Sequence, residues 1–86
     1  MPSIKLYANL RNITGKSEVR IPGNNLREVL ERLIREFPEL QAHLFTDERV
    51  RVIITLNRQT LDQATTLDTP VTQEDKIAIF PPVSGG

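Results

Sequence analysis

Apolar and polar positions alternate along Ile4-Lys5-Leu6-Tyr7-Ala8-Asn9 and again along Glu18-Val19-Arg20-Ile21. A period of two sends successive side chains to opposite faces of a strand. With the Thr14-Gly15-Lys16 break between them, the two runs predict a β-hairpin that turns Ile4, Leu6, Ala8, Val19 and Ile21 toward a core. Pro22-Gly23-Asn24 then turns the chain. The period changes at Leu26: Leu26, Val29, Leu30, Leu33, Ile34 and Phe37 recur at spacings of three and four, the apolar stripe of an amphipathic helix. Asn25 suits the N-cap, with Glu28 placed for a capping box, and Pro38 disfavours helical geometry at Phe37 and closes the element. Arg27, Glu28, Glu31, Arg32, Arg35 and Glu36 alternate in sign on the other side of the helix, each pair adding ~0.3 kcal/mol. That pattern is a solvated face rather than a binding site.

Beyond the helix, Glu39 to Glu48 reads as a polar connector that includes a short helical turn, anchored by Leu40, Leu44 and Phe45. The β-rich run Val50 to Leu56 predicts a third strand. Asn57 to Gln73 holds no clear period, and Thr69-Pro70 argues against a central strand there. Lys76 to Phe80 is the last strand, stopped by Pro81-Pro82. One sheet with one long helix across one face satisfies both apolar surfaces at once. The fold class is therefore α+β, a β-grasp (ubiquitin-like) roll with a mixed sheet, with residues 1–82 as the domain and 83–86 as a flexible tail. Alternation also assigns Tyr7, Ile53 and Phe80 to the side of the sheet away from the helix, where they would form an apolar patch if their strands are neighbours.

Composition narrows the chemistry. The 86 residues are 38% hydrophobic and 26% charged, enough for one modest core. Eleven basic residues balance eleven acidic ones with the signs interleaved, so no electrostatic footprint for nucleic acid or an anionic membrane is present. The absence of cysteine removes disulfides, a thiolate nucleophile and a thiolate metal site. His43, the single histidine, reads as an ordinary loop or surface residue, and no metal site is expected. With no membrane span and no secretory pattern, a cytoplasmic location is the expectation.

The remaining reactive group is the carboxylate at the end of Phe80-Pro81-Pro82-Val83-Ser84-Gly85-Gly86. Glycines without a Cβ can thread a narrow channel, and the prolines hold the approach extended. A frayed terminus would contain flexible glycines too, so the pair alone is a weak signal. Leu6-Tyr7-Ala8-Asn9-Leu10-Arg11, the helix, the Leu67-Asp68-Thr69-Pro70 turn and Ile79-Phe80-Pro81-Pro82-Val83-Ser84-Gly85-Gly86 together resemble the MoaD/ThiS family of ubiquitin-like sulfur carriers. The resemblance spans nearly the whole chain. Its end looks most like the branch that serves as the small subunit of molybdopterin synthase.

The resemblance implies that a ubiquitin-activating-like adenylyltransferase uses ATP and magnesium to adenylate Gly86, and that sulfur from a persulfide then converts it to a thiocarboxylate. No cofactor is held by this chain. In the molybdopterin branch the tail enters the large subunit of a heterotetramer and gives sulfur to the pterin precursor; other branches serve cysteine or thiamine synthesis, or conjugate the carboxyl to protein lysines. Tyr7, Arg11, Leu61 and Phe80 match family positions that contact the partner, with Pro81, Pro82, Val83, Ser84 and Gly85 leading to Gly86. Arg58 and Gln73-Glu74-Asp75 stand where many relatives have turn glycines, which predicts altered loop geometry there.

Overall fold

The computed structural model describes residues 1–46 and 49–81. Seven strands and three α-helices follow in the order β1 (Ser3–Leu6), α1 (Asn9–Thr14), β2 (Glu18–Arg20), α2 (Leu26–Glu36), α3 (Gln41–Leu44), β3 (Phe45–Thr46), β4 (Arg49–Val50), β5 (Ile53–Leu56), β6 (Gln59–Thr60) and β7 (Lys76–Phe80), with 3-10 turns at Pro38–Leu40 and Thr66–Asp68. The main sheet has the order β2-β1-β7-β5-β6, and β3 and β4 form a separate ribbon. β1 runs parallel to β7 while the other pairs are antiparallel, so the sheet is mixed as expected. The last strand in the chain is the central one in the sheet.

The core lies between the sheet and α2. Ile4, Leu6, Ile54, Ile77 and Ile79 from the strands, and Leu26, Val29, Leu30 and Leu33 from the helix, are all buried. Each such side chain contributes about 1.5–3 kcal/mol by leaving water. The helix starts where the capping residues direct. Asn25 Oδ1 accepts from the Glu28 amide at 2.9 Å, while Glu28 Oε1 accepts from the Asn24 amide at 2.9 Å, one residue earlier than the reciprocal box requires. Gly23 is packed so closely that a Cβ there would lie 2.6 Å from Val29 Cγ2. Leu40 and Leu44 are buried and Phe45 is half-buried, so the three anchors of the connector serve as predicted. His43 sits half-buried in α3 rather than in a loop.

Three elements depart from the sequence reading. The predicted strand through Asn9 ends at Leu6, because Ala8 takes φ 55 and ψ −131 and starts α1. Ala8 is therefore exposed rather than core-facing, and Leu10 is buried in its place. Helix α1 closes on Gly15, whose φ of 74 and N–H donating a hydrogen bond to the Arg11 carbonyl form a left-handed cap. The run from Val50 to Leu56 is not one strand: the Arg51 amide donates to Leu44 O at 2.9 Å and Gln63 Nε2 donates to Val52 O at 3.2 Å, drawing the backbone out of the ladder between β4 and β5. Finally, Asn57 to Gln73 contains the short strand β6, which two residues carry too little pattern to announce.

The turn at Arg58 is left-handed without a glycine. Asn57 and Arg58 have φ 50 and 73, the left-handed conformation of a tight two-residue hairpin turn. Side chains hold it there. Asn57 Oδ1 accepts from the Lys76 amide at 2.9 Å, its Nδ2 donates to Asp75 Oδ1 at 3.0 Å, and Asp75 Oδ2 accepts from the Thr72 amide at 2.7 Å. This clamp substitutes for the permissive backbone of a glycine. Among the described residues no helix is long and apolar enough to cross a membrane.

Candidate functional site

The face of the sheet opposite α2 is where the predicted patch falls. Register carries Ile4 to Leu6 alongside Ile77 to Ile79, so Tyr7 and Phe80 arrive at the same end of neighbouring strands. Their rings stack with centroids 4.5 Å apart and planes 15° from parallel, within the range where aromatic pairs gain about 0.5–1.5 kcal/mol beyond area burial. Ile53 is the direct partner of Phe80 across β5 and β7. Three apolar side chains thus line up across β1, β7 and β5, as the alternation predicts. Tyr7 is 38% exposed, one of two large hydrophobic residues that stay so open among the described residues, while Ile53 and Phe80 are half-buried.

The sequence C-terminal to Phe80 begins from this patch. Strand β7 is paired on both edges, to β1 as far as Ile79 and to β5 through Phe80, so Phe80 is held by the β5 ladder and by the Tyr7 ring. Pro81, half-buried, ends the ladder because it has no amide to donate. Pro82, Val83, Ser84, Gly85 and Gly86 lie outside the described residues.

Arg11 and Leu61 take different positions. Arg11 is exposed on α1, in the turn that the Tyr7 carbonyl opens by accepting from the Leu10 amide at 3.2 Å. It belongs to the same end of the molecule as Tyr7. Leu61 extends the β5–β6 register, with its amide donating to Ile54 O at 2.9 Å, and packs against the hydrophobic core. The structure does not bring it to the face that Tyr7 and Phe80 share.

Sequence reasoning placed Ala8 in a strand and missed its backbone conformation. Its φ of 55 directly follows Tyr7, a conformation that strains a residue with a Cβ. The strain is local to the segment that presents the tyrosine. No periodicity signals it, because a positive φ at alanine leaves no mark in an apolar–polar pattern. Asp75 is held below the ordinary carboxylate range, chiefly by the hydrogen bond from Asn57 and then by the Thr72 amide; it belongs to the clamp at the opposite end of β7.

The sequence model of the ThiS family matches residues 4–86. The molybdopterin synthase sulfur carrier subunit of Arabidopsis thaliana is 30% identical over 86 residues, covering 96% of this chain and 80% of that protein. The solution structure of small archaeal modifier protein 1 from Methanosarcina acetivorans superposes with a TM-score of 0.86 at 30% identity, over 99% of this chain and 95% of that one. A chain from the complex of subunits 1 and 2 of molybdopterin-converting factor from Helicobacter pylori superposes with a TM-score of 0.66 at 26% identity, over 99% and 97% of the two chains.

Proposed function

The chain belongs to the ThiS family, and from that membership we propose that it is a sulfur carrier whose Gly86 carboxyl is adenylated, converted to a thiocarboxylate and used as a sulfur donor in molybdopterin synthesis. The observation that carries the reading is the anchoring of Phe80 in the central strand, stacked on Tyr7. An open aromatic patch lies at the base of the segment that ends in Gly86. A partner can then grip the body at Tyr7 and Phe80 while acting on a group held away from it. From Phe80 to Gly86 an extended chain reaches at most roughly 20 Å, enough to enter a buried active site.

The chemistry asks little of the carrier's own side chains. A carboxylate is a poor electrophile; an acyl adenylate carries a good leaving group; a thiocarboxylate is a soft nucleophile. ATP and magnesium act in the activating enzyme, a ubiquitin-activating-like adenylyltransferase, and the sulfur acceptor is the pterin precursor held by the large subunit of a molybdopterin synthase-type complex. We assign the cycle to the cytoplasm, where those reactants are found. The identity to the Arabidopsis thaliana carrier subunit supports the molybdopterin branch. The likeness to the Methanosarcina acetivorans modifier supports a second reading, conjugation of Gly86 to lysines of other proteins.

Intact mass distinguishes them. Incubated with the activating enzyme, ATP and a sulfur source, the chain should gain the ~16 Da of an oxygen-to-sulfur exchange at its terminal carboxyl, and a variant lacking Gly86 should fold normally and gain nothing. An unmodified mass under conditions that consume ATP sinks the carrier reading. Boiling-resistant higher-mass bands in denaturing gels of cell extract would favour the modifier.

A further inference from the structure

From the Tyr7–Phe80 stack the open face of the sheet continues toward the start of β7 as a shallow trough of about 700 Å³. Its floor is made of small side chains. Ala78 lies between Lys5 on β1 and Thr55 on β5 in the strand register, with Ser3 one step along. Its walls are long and basic: Lys5, Arg20, Arg58 and Lys76 line it and are all exposed. Glu18 and Glu74 are the acidic members, so four cations face two anions. An excess of two positive charges is collected here on a chain whose formal net charge is zero.

The other layer is balanced. On α2, Arg27, Arg32 and Arg35 are matched by Glu28, Glu31 and Glu36. Among the described residues the ion pair is Arg27–Asp68, also on the helix layer, at 2.9 Å. Lys5 stands opposite Glu18 in the register without forming one. The trough cations are therefore presented to solvent, beside an aromatic pair and above a floor low enough for another backbone to approach.

We propose that this trough docks an acidic segment of the enzyme that acts on Gly86, with an apolar side chain seated against Tyr7 and Phe80 and carboxylates meeting Lys5, Lys76 and Arg20. The inference rests on the carrier reading above. Charge of this kind governs encounter rate and register more than final affinity, and salt screens it. It also separates partners, since a basic segment placed on the same floor would be repelled.

The test uses the full chain, isotope-labelled for amide NMR, and a peptide of about ten residues alternating Glu with Phe as the probe. The peptide should shift amides of Ser3, Lys5, Tyr7, Thr55 and Ala78, and the same peptide with Lys for Glu should not. Raising salt from about 50 to about 300 mM should weaken binding about 3- to 10-fold, and the double reversal Lys5→Glu with Lys76→Glu about tenfold. Arg32→Glu with Arg35→Glu on the helix should leave peptide affinity unchanged. The activating enzyme, used below saturation, should thiocarboxylate the trough variant about tenfold more slowly than the wild type.

Equal binding of both peptides, shifts centred elsewhere, or an unaltered thiocarboxylation rate in the trough variant would overturn the proposal. The carrier reading fails separately: a chain that binds the acidic peptide yet never gains sulfur would refute the carrier role and retain the trough.

Discussion

The two faces of the five-stranded sheet use the same strands for different ends. On one, Ile4, Leu6, Ile54, Ile77 and Ile79 are covered by α2; on the other, Tyr7, Ile53 and Phe80 form an open row that runs into a basic trough. Because side chains alternate, neighbours in sequence such as Ile79 and Phe80 go to opposite faces, one buried in the core and the other stacked on Tyr7 on the open side. The difference teaches that apolar character alone does not mark the core. What marks it is a complementary stripe on another element, which the helix supplies to one face only.

Substitution should separate the faces. Leu30→Ala, on the covered side, should cost about 2–5 kcal/mol in urea unfolding, because the cavity is closed in by both layers. On the open side, Tyr7→Ala or Phe80→Ala should cost only about 1 kcal/mol through loss of the stack, while weakening association with the activating enzyme by tenfold or more, as a central aromatic anchor does. An unfolded Tyr7→Ala chain would break the comparison, since the open face would then be structural too.

Two smaller effects concern the clamp at the far end of the open face. Arg58→Gly should stabilise the protein by about 0.5 kcal/mol, the relief of a left-handed backbone partly offset by greater freedom of the unfolded chain. Asp75→Asn probes the carboxylate that braces that turn. Its folded pKa is depressed, so its stabilisation is complete above the unfolded value and fades as pH falls through the folded one. The melting temperatures of wild type and Asp75→Asn should therefore differ at neutral pH, begin to approach each other only as pH falls past the ordinary aspartate value of about 4, and meet below the depressed folded one.

Much of this arrangement was legible in the residues. The stripe from Leu26 to Phe37, Asn25 as its cap and the phase of Tyr7, Ile53 and Phe80 all follow from local periodicity, and each stands where it was expected. The misreadings arose where a few residues answer to distant partners. Val50 to Leu56 looks like one strand until the Leu44 carbonyl accepts from the Arg51 amide and the Gln63 side chain donates to the Val52 carbonyl in its middle. Tertiary pairing likewise sets where Leu61 lies: its amide donates to Ile54 O and its side chain packs, half-buried, against the core. Pro82 to Gly86 lie outside the described residues, so their proposed roles rest on the sequence and the family.

By itself the sequence determined the two periods, the helix cap and the absence of any thiol in these 86 residues, because these depend on residue type and spacing within a few positions. Tertiary structure decided which strands are neighbours. Parallel pairing of β1 with β7, residues far apart in the chain, is what stacks Tyr7 on Phe80 and gathers Lys5 and Lys76 around one floor. Local periodicity gives a strand its faces; only long-range register gives a face its composition.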